Sequence, residues 1–193
     1  MQDLMRNQFY KQRSDFELSA IERDKTQVMP EGVSVQTDIP YMNDGDKAHR
    51  MDVYRPEGSE STTLPVVINI HGGGLLIGSK EFNRFFCAKL SRLGYLVFSI
   101  EYRLVPDCMV FDQFSDVCNA FKYINAHLGE YNGDSNHIYG VADSGGAYLL
   151  TYTAAMAKNR ELAKAAHVKP QKFSFRAIGL ISGMFYTNRF DRI

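Results

Sequence analysis

Three short runs of nearly unbroken apolar residues constrain this chain most. Residues 64–70 read LPVVINI, residues 95–100 read YLVFSI and residues 177–182 read AIGLIS. A strand open to water on one face alternates apolar and polar residues. A continuous run marks a strand covered on both faces, as in a parallel sheet between helices. The intervening segments fit that demand. Residues 82–93 and 111–127 have helical periodicity, the second placing Phe114, Val117, Cys118, Phe121 and Ile124 on one face. Residues 137–141 form a short strand, and residues 147–158 a helix that is apolar nearly all round. Alternating strand and helix predicts an α/β fold with a mostly parallel sheet.

The upstream pattern differs. Residues 33–39 alternate as VSVQTDI, Asn43-Asp44-Gly45-Asp46 is a turn, and residues 49–54 form a second strand stopped by Pro56. Together they predict an opening antiparallel hairpin. Residues 3–25 read as a helix with Leu4, Met5, Phe9, Phe16, Leu18 and Ile21 toward one side, ended by Met29-Pro30-Glu31-Gly32. The chain thus divides into a short N-terminal helical cap segment, 1–30, and an α/β core, 31–193.

Composition narrows the partners. A chain of 193 residues can bury a core without a disulfide or metal staple. Its 22 basic and 22 acidic residues balance, which speaks against a nucleic-acid or anionic-membrane partner. Residues 158–193 carry eight basic against two acidic groups, dispersed as on a solvated helix and loop. Cys87, Cys108 and Cys118 have neither ligand spacing nor a His pair and read as small buried hydrophobes. No signal peptide or membrane span is legible, so a cytoplasmic location is expected.

Two motifs carry chemistry. His71-Gly72-Gly73-Gly74 follows a buried strand directly. Its glycines let the backbone turn sharply and aim amides into a cavity, where they can stabilise a developing oxyanion. A phosphate loop or a plain turn is the alternative, although no Walker-type Lys-Ser/Thr follows. Ala142-Asp143-Ser144-Gly145-Gly146 stands between a strand and a helix. Small residues around a Ser at such a corner are what a nucleophile elbow needs, and a Ser N-cap is the alternative. The two motifs in this order, each after a strand, specify far more than either alone.

With Gly78-Ser79-Lys80, the segment Tyr102-Arg103-Leu104-Val105-Pro106, Phe111 and Asp116, these motifs resemble the hormone-sensitive-lipase-like esterase group of α/β-hydrolases over residues 33–183. Ala142 departs from the family's glycine. The resemblance implies a carboxylesterase without metal or organic cofactor, acting on a small-molecule ester. It implies Ser144 as nucleophile and the N–H groups of Gly73, Gly74 and Gly145 as oxyanion hole. Gly72 would shape the turn, His71 brace the loop, Tyr102 and Arg103 tie down a strand end, and Asp143 play a structural part. Residues 1–30 would cap the active site. Leu75, Leu76, Met184, Phe185 and Tyr186 are candidate apolar pocket residues, which suits small uncharged esters. A peptidase, amidase or acyltransferase on the same fold stays open, as does a non-catalytic binding protein.

In this fold the acid and then the His follow the nucleophile along the chain. Downstream of Ser144 there are only Glu161, His167 and Asp191, and the first two lie along or just after a helix that runs away from the elbow. The triad partners are therefore expected beyond residue 193. The sheet is expected to be incomplete at its C-terminal side, AIGLIS to be an open edge, and the 193-residue chain alone to be inactive. Oligomeric state is not legible in the sequence.

Overall fold

The computed structural model describes residues 2–169, 174–183 and 185. Helix α1 (Gln2–Asp24) leads into strands β1 (Val33–Pro40), β2 (Arg50–Pro56) and β3 (Leu64–Ile70). A 3-10 turn (Lys80–Asn83) and α2 (Arg84–Arg92) precede β4 (Leu96–Ile100). Then come α3 (Val110–His127), β5 (Gly133–Asp143), α4 (Ser144–Met156), α5 (Arg160–Ala165) and β6 (Ala177–Ile181). The sheet order is β1-β2-β4-β3-β5-β6. β1 pairs antiparallel with β2, and β2 with β4. β3 lies parallel to β4 and β5, and β5 parallel to β6. The hairpin and the parallel sheet expected from the sequence are both present.

The continuous apolar runs divide between two faces. Val66, Ile68 and Ile70 of β3, with Leu96, Phe98 and Ile100 of β4, join Phe114, Val117, Phe121, Leu149 and Leu150 in the main core under α3 and α4. Val67, Val97 and Tyr54 point the other way, onto Cys87 and Ala88 of α2. Both faces are covered, so neither can be polar. Among the polar exceptions, buried Lys80 meets Asp52 at 2.9 Å and Asp38 at 3.2 Å. Burial raises the Asp52 pKa against the pull of Lys80. Three thiols, Cys87, Cys108 and Cys118, are buried and unbridged. Burial pushes them up to about 12, 11 and 12, so they are protonated at neutral pH.

Four details depart from the sequence reading. In α1 the apolar residues do not share a buried side: Leu4, Met5, Leu18 and Ile21 are exposed. The inward stripe is Phe9, Arg13, Phe16, Ala20 and Asp24, spaced at helical intervals. Polar residues occupy it because it meets backbone carbonyls and ion partners rather than a core. The strand expected over 137–141 runs from Gly133 to Asp143 because its backbone pairs with β3 as far as Leu64. The helix expected over 147–158 ends at Met156, and a separate α5 starts where Asn159 caps it, accepting from Glu161 and Leu162 N–H at 3.1 Å. β2 runs through to Pro56, a position at its end where no ladder donor is needed. β6 forms the edge, with Ile178 and Ile181 exposed. Among the described residues, no helix is long and apolar enough to cross a membrane.

The first turn of α4 packs against the end of β3. A Cβ on Gly146 would stand 2.3 Å from the Ile70 carbonyl and 2.4 Å from that of His71. Gly146→Ala is therefore expected to cost about 1–3 kcal/mol by overpacking. Gly179→Ala, whose Cβ would meet only Val141 at 3.7 Å, should cost far less. Urea denaturation of the two variants checks the contrast.

Candidate active site

Ser144 stands at the corner where β5 ends and α4 begins. Its φ is +48°, left-handed for a residue with a side chain. Such a backbone costs ~1–2 kcal/mol, and the packing of Gly146 on β3 holds it. The amides of the first α4 turn have no helical acceptor, and Asp143 does not cap them with its side chain. The first turn of a helix is where backbone amides can serve an anion.

That loop, residues 71–77, leaves β3 beside the elbow. Gly73 has φ +123° and its carbonyl accepts from the Leu76 and Ile77 amides at 3.0 Å, which closes the turn. A Cβ at Gly73 would stand within bonding range of the Ile77 carbonyl, so only glycine fits. Gly74 and Leu75 follow with φ +60° and +70°. Their amides come to 3.1 and 2.9 Å from the point where a Cβ on Gly145 would be. The structure thus brings Gly74 and Gly145 together and adds the Leu75 amide, which the sequence reading assigned only to a pocket. A Leu in a left-handed conformation carries no motif, so nothing in the sequence marks it.

Asp143 joins the two motifs. Its Oδ1 accepts from Gly72 N–H at 3.1 Å and from Asn83 Nδ2 at 2.9 Å. Asn83 also reaches Asn69 Oδ1 at 3.3 Å, and Asn69 donates to Ser99 Oγ at 3.1 Å. This polar chain crosses from β4 to the elbow. Asn69, Asn83 and Ser99 were not legible as site residues, because isolated Asn and Ser have no spacing signature.

His71 is fully buried. Its Nδ1 faces the Gly72 carbonyl at 2.8 Å and its Nε2 faces Glu101 Oε1 at 2.8 Å. A backbone carbonyl and an ionised carboxylate both accept, so these contacts favour a ring that donates from each nitrogen. Burial works to lower its pKa, but the charge and hydrogen bond of Glu101, with the Gly72 carbonyl, outweigh burial and raise it. Tyr102 stacks on the ring at 4.3 Å and its hydroxyl donates to the His71 carbonyl at 2.7 Å. Glu101 Oε2 accepts from Lys80 N–H at 2.9 Å. Arg103 grips Asp116 with Nε at 3.0 Å and Nη2 at 2.7 Å.

The other histidines are engaged elsewhere. His49 lies between Asp44 at 2.6 Å and Asp116 at 3.1 Å. His127 bonds the Tyr123 carbonyl, and His137 pairs with Asp134 and Arg176. His167 follows α5, past the far end of a 13-residue α4 about 20 Å long. Among the described residues, none supplies an imidazole to Ser144.

Leu75 is half-buried and leans on the main core, and Leu76 is half-buried in the loop. Phe185 is 40% exposed. Met184 and Tyr186 lie outside the described residues. A charged cleft of 470 Å³ opens on the other side of the loop, lined by Arg13 and Glu17 of α1, Lys47, Glu101, Arg103 and Asp107 among others.

Known proteins resemble this chain in sequence and in fold. A model of the family described as BD-FAE matches residues 51–185. Esterase B from Lactobacillus rhamnosis superposes with a TM-score of 0.89 at 26% identity, over 95% of this chain and 59% of that one. A probable isoprenylcysteine alpha-carbonyl methylesterase of Arabidopsis thaliana is 31% identical over 105 residues, 54% of this chain and 22% of the relative. A probable carboxylic ester hydrolase, LipM, of Mycobacterium tuberculosis is 31% identical over 123 residues, 59% of this chain and 28% of the relative. The chain spans less than two thirds of the length of each.

The raised His71 pKa has a measurable consequence. The folded chain holds this proton more tightly than the unfolded chain, whose imidazole titrates near 6.5. The stabilisation is complete below that value and fades as pH rises through the raised native pKa. The urea midpoint should therefore fall as pH rises above about 6.5, and Glu101→Gln should flatten that fall.

Proposed function

This chain belongs to the BD-FAE family and has the α/β-hydrolase fold of esterases, and on that premise we propose that it carries the nucleophile and oxyanion hole of a serine carboxylic-ester hydrolase. The observation that carries the reading is Ser144 at φ +48°, on a strand-to-helix corner whose glycines abut the amides of a glycine loop. Ser144 Oγ attacks the acyl carbonyl. The new oxyanion is held by the amides of Gly74 and Gly145, with Gly73 and Leu75 completing the loop's share. The acyl-enzyme then forms with loss of the alcohol, and water releases the acid.

His71 is not the base in this scheme. Both of its ring nitrogens are engaged, by the Gly72 carbonyl and by Glu101, and its part is to hold the loop. The general base and its acid partner come from chain outside the described residues, because the described histidines are committed to other groups or lie far along the chain from the elbow. Helix α1 covers the oxyanion-loop side as a cap. The substrates are small uncharged esters, with Leu75, Leu76 and Phe185 as the described residues assigned to the acyl side. The relatives' activities, methylesterase and carboxylic ester hydrolase by name, favour esters over amides. Three buried, unbridged thiols suit a reducing compartment such as the cytoplasm.

A second reading, an ester-binding scaffold without turnover, rests on the lack of an imidazole at Ser144 among the described residues. A fluorophosphonate probe separates the two. The product of the complete reading frame should be labelled at Ser144, while the 193-residue chain alone should not. In that complete product, Ser144→Ala should lower kcat on p-nitrophenyl acetate by about a thousandfold or more. Failure of both labelling and turnover in the complete product establishes the binding reading instead.

The pocket assignment has its own test. Leu76→Arg or Phe185→Asp should shift the preference between acetyl and longer p-nitrophenyl esters by about tenfold. An unchanged chain-length profile removes these residues from the pocket.

A further inference from the structure

Arg13 occupies the middle of the inward stripe of α1, and its guanidinium engages three acceptors at once. Nε donates to the Leu76 carbonyl at 3.1 Å, Nη2 to the Val105 carbonyl at 3.0 Å, and Nη1 to Asp107 Oδ2 at 2.9 Å. Leu76 belongs to the glycine loop; Val105 and Asp107 belong to the segment after β4. The preceding carbonyl, that of Leu75, is held from the opposite side. It accepts from Val105 N–H at 3.0 Å and from Gln113 Nε2 at 2.9 Å, and the same Gln113 amide also reaches the Arg103 carbonyl at 2.8 Å. Consecutive carbonyls of the loop are thus pinned from two directions, by α3 below and by α1 above.

We propose that Arg13 is a positioning residue for the oxyanion loop, acting through the Leu76 carbonyl; the proposal rests on the reading of Ser144 as nucleophile. Left-handed backbone at Gly74 and Leu75 brings their amide nitrogens beside Gly145. That conformation is not the one Leu75 prefers, so it persists only where the surroundings over-determine it. The Leu76 amide closes the turn onto the Gly73 carbonyl, and the Leu76 carbonyl is the next polar group along the chain. Releasing that carbonyl lets the turn relax and carries the two amides away from the elbow. A planar guanidinium can satisfy two carbonyls and a carboxylate together, whereas an ammonium is a single point of charge.

The rest of the α1 attachment is separable from this contact. Phe16 stacks on Phe82 with ring centroids 4.6 Å apart. Asp24 binds Arg84 at 2.8 Å and Arg23 at 2.7 Å. Tyr10 donates to Asp107. None of these touches Leu76, so loosening the helix and freeing the loop are different perturbations.

Amide hydrogen exchange of the protein tests the assignment directly. Arg13→Ala should speed exchange of the Leu76 and Ile77 amides by about tenfold or more. Arg13→Lys should stay close to Arg13→Ala, because charge without the fork does not restore the clamp. Phe16→Ala should raise exchange along α1 but much less at residues 76 and 77. In the catalytically complete product, Arg13→Ala should lower kcat by about tenfold and leave KM within about twofold, the signature of a misplaced transition-state donor. Unchanged loop exchange in Arg13→Ala overturns the assignment, and so does a Phe16→Ala effect on the loop of equal size. Failure of Ser144 labelling would instead overturn the nucleophile reading and leave the exchange result standing, so the two failures are distinct.

Discussion

β3 and β5 lie side by side and run the same way, and the site depends on that pairing. Ile70 stands opposite Ala142 in the register. The glycine loop therefore leaves one strand where the elbow leaves its neighbour, and two backbone turns separated by some 70 residues of chain meet. Parallel neighbours gather their connections at their carboxyl ends, which is why open α/β sheets place chemistry there. Glycines at 145 and 146 then set how closely the turns approach, since each added methyl would meet backbone rather than a side chain that could move.

Such contact between turns leaves peptide groups that water cannot reach, and buried polar groups are costly unless paired. The structure satisfies them with fixed side chains. Asp143 takes the Gly72 amide, Tyr102 takes the role of donor to the His71 carbonyl, and His71 spans Gly72 and Glu101. Glu101, at hydrogen-bond distance from the buried ring, favours its charged form against the cost of burial. Arg13 and Gln113 extend the same logic to Leu76 and Leu75. The loop's shape is held by a set of carbonyl and amide partners drawn from the end of β5, the segment after β4, α3 and α1. It does not rest on the glycines alone.

Much of this was legible before any coordinates. Apolar runs at 64–70 and 95–100 identified strands covered on both faces because a strand's side chains alternate, and both faces had to be filled. Small residues at 71–74 and 142–146 were legible because only tight turns need them. Where the reading failed, the partner was tertiary. The α1 stripe was misjudged because its inward face meets carbonyls and carboxylates, which reward Arg13 and Asp24 over leucine. The break after Met156 was missed because a capping Asn159 is one residue among many Asn. Asn69, Asn83 and Gln113 were silent because their roles depend on which carbonyl or carboxylate the fold brings near.

By itself the sequence determined the layer architecture, the hairpin, and the two turns able to present a serine and backbone amides, since these follow from local periodicity and from the steric demand for glycine. The tertiary structure alone decided that the loop's left-handed run extends to Leu75, that both ring nitrogens of His71 are taken up by Gly72 and Glu101, and that α1 reaches the loop through Arg13. Each of these depends on an acceptor contributed by a distant part of the chain, and a hydrogen bond between residues far apart in sequence leaves no periodic trace in it.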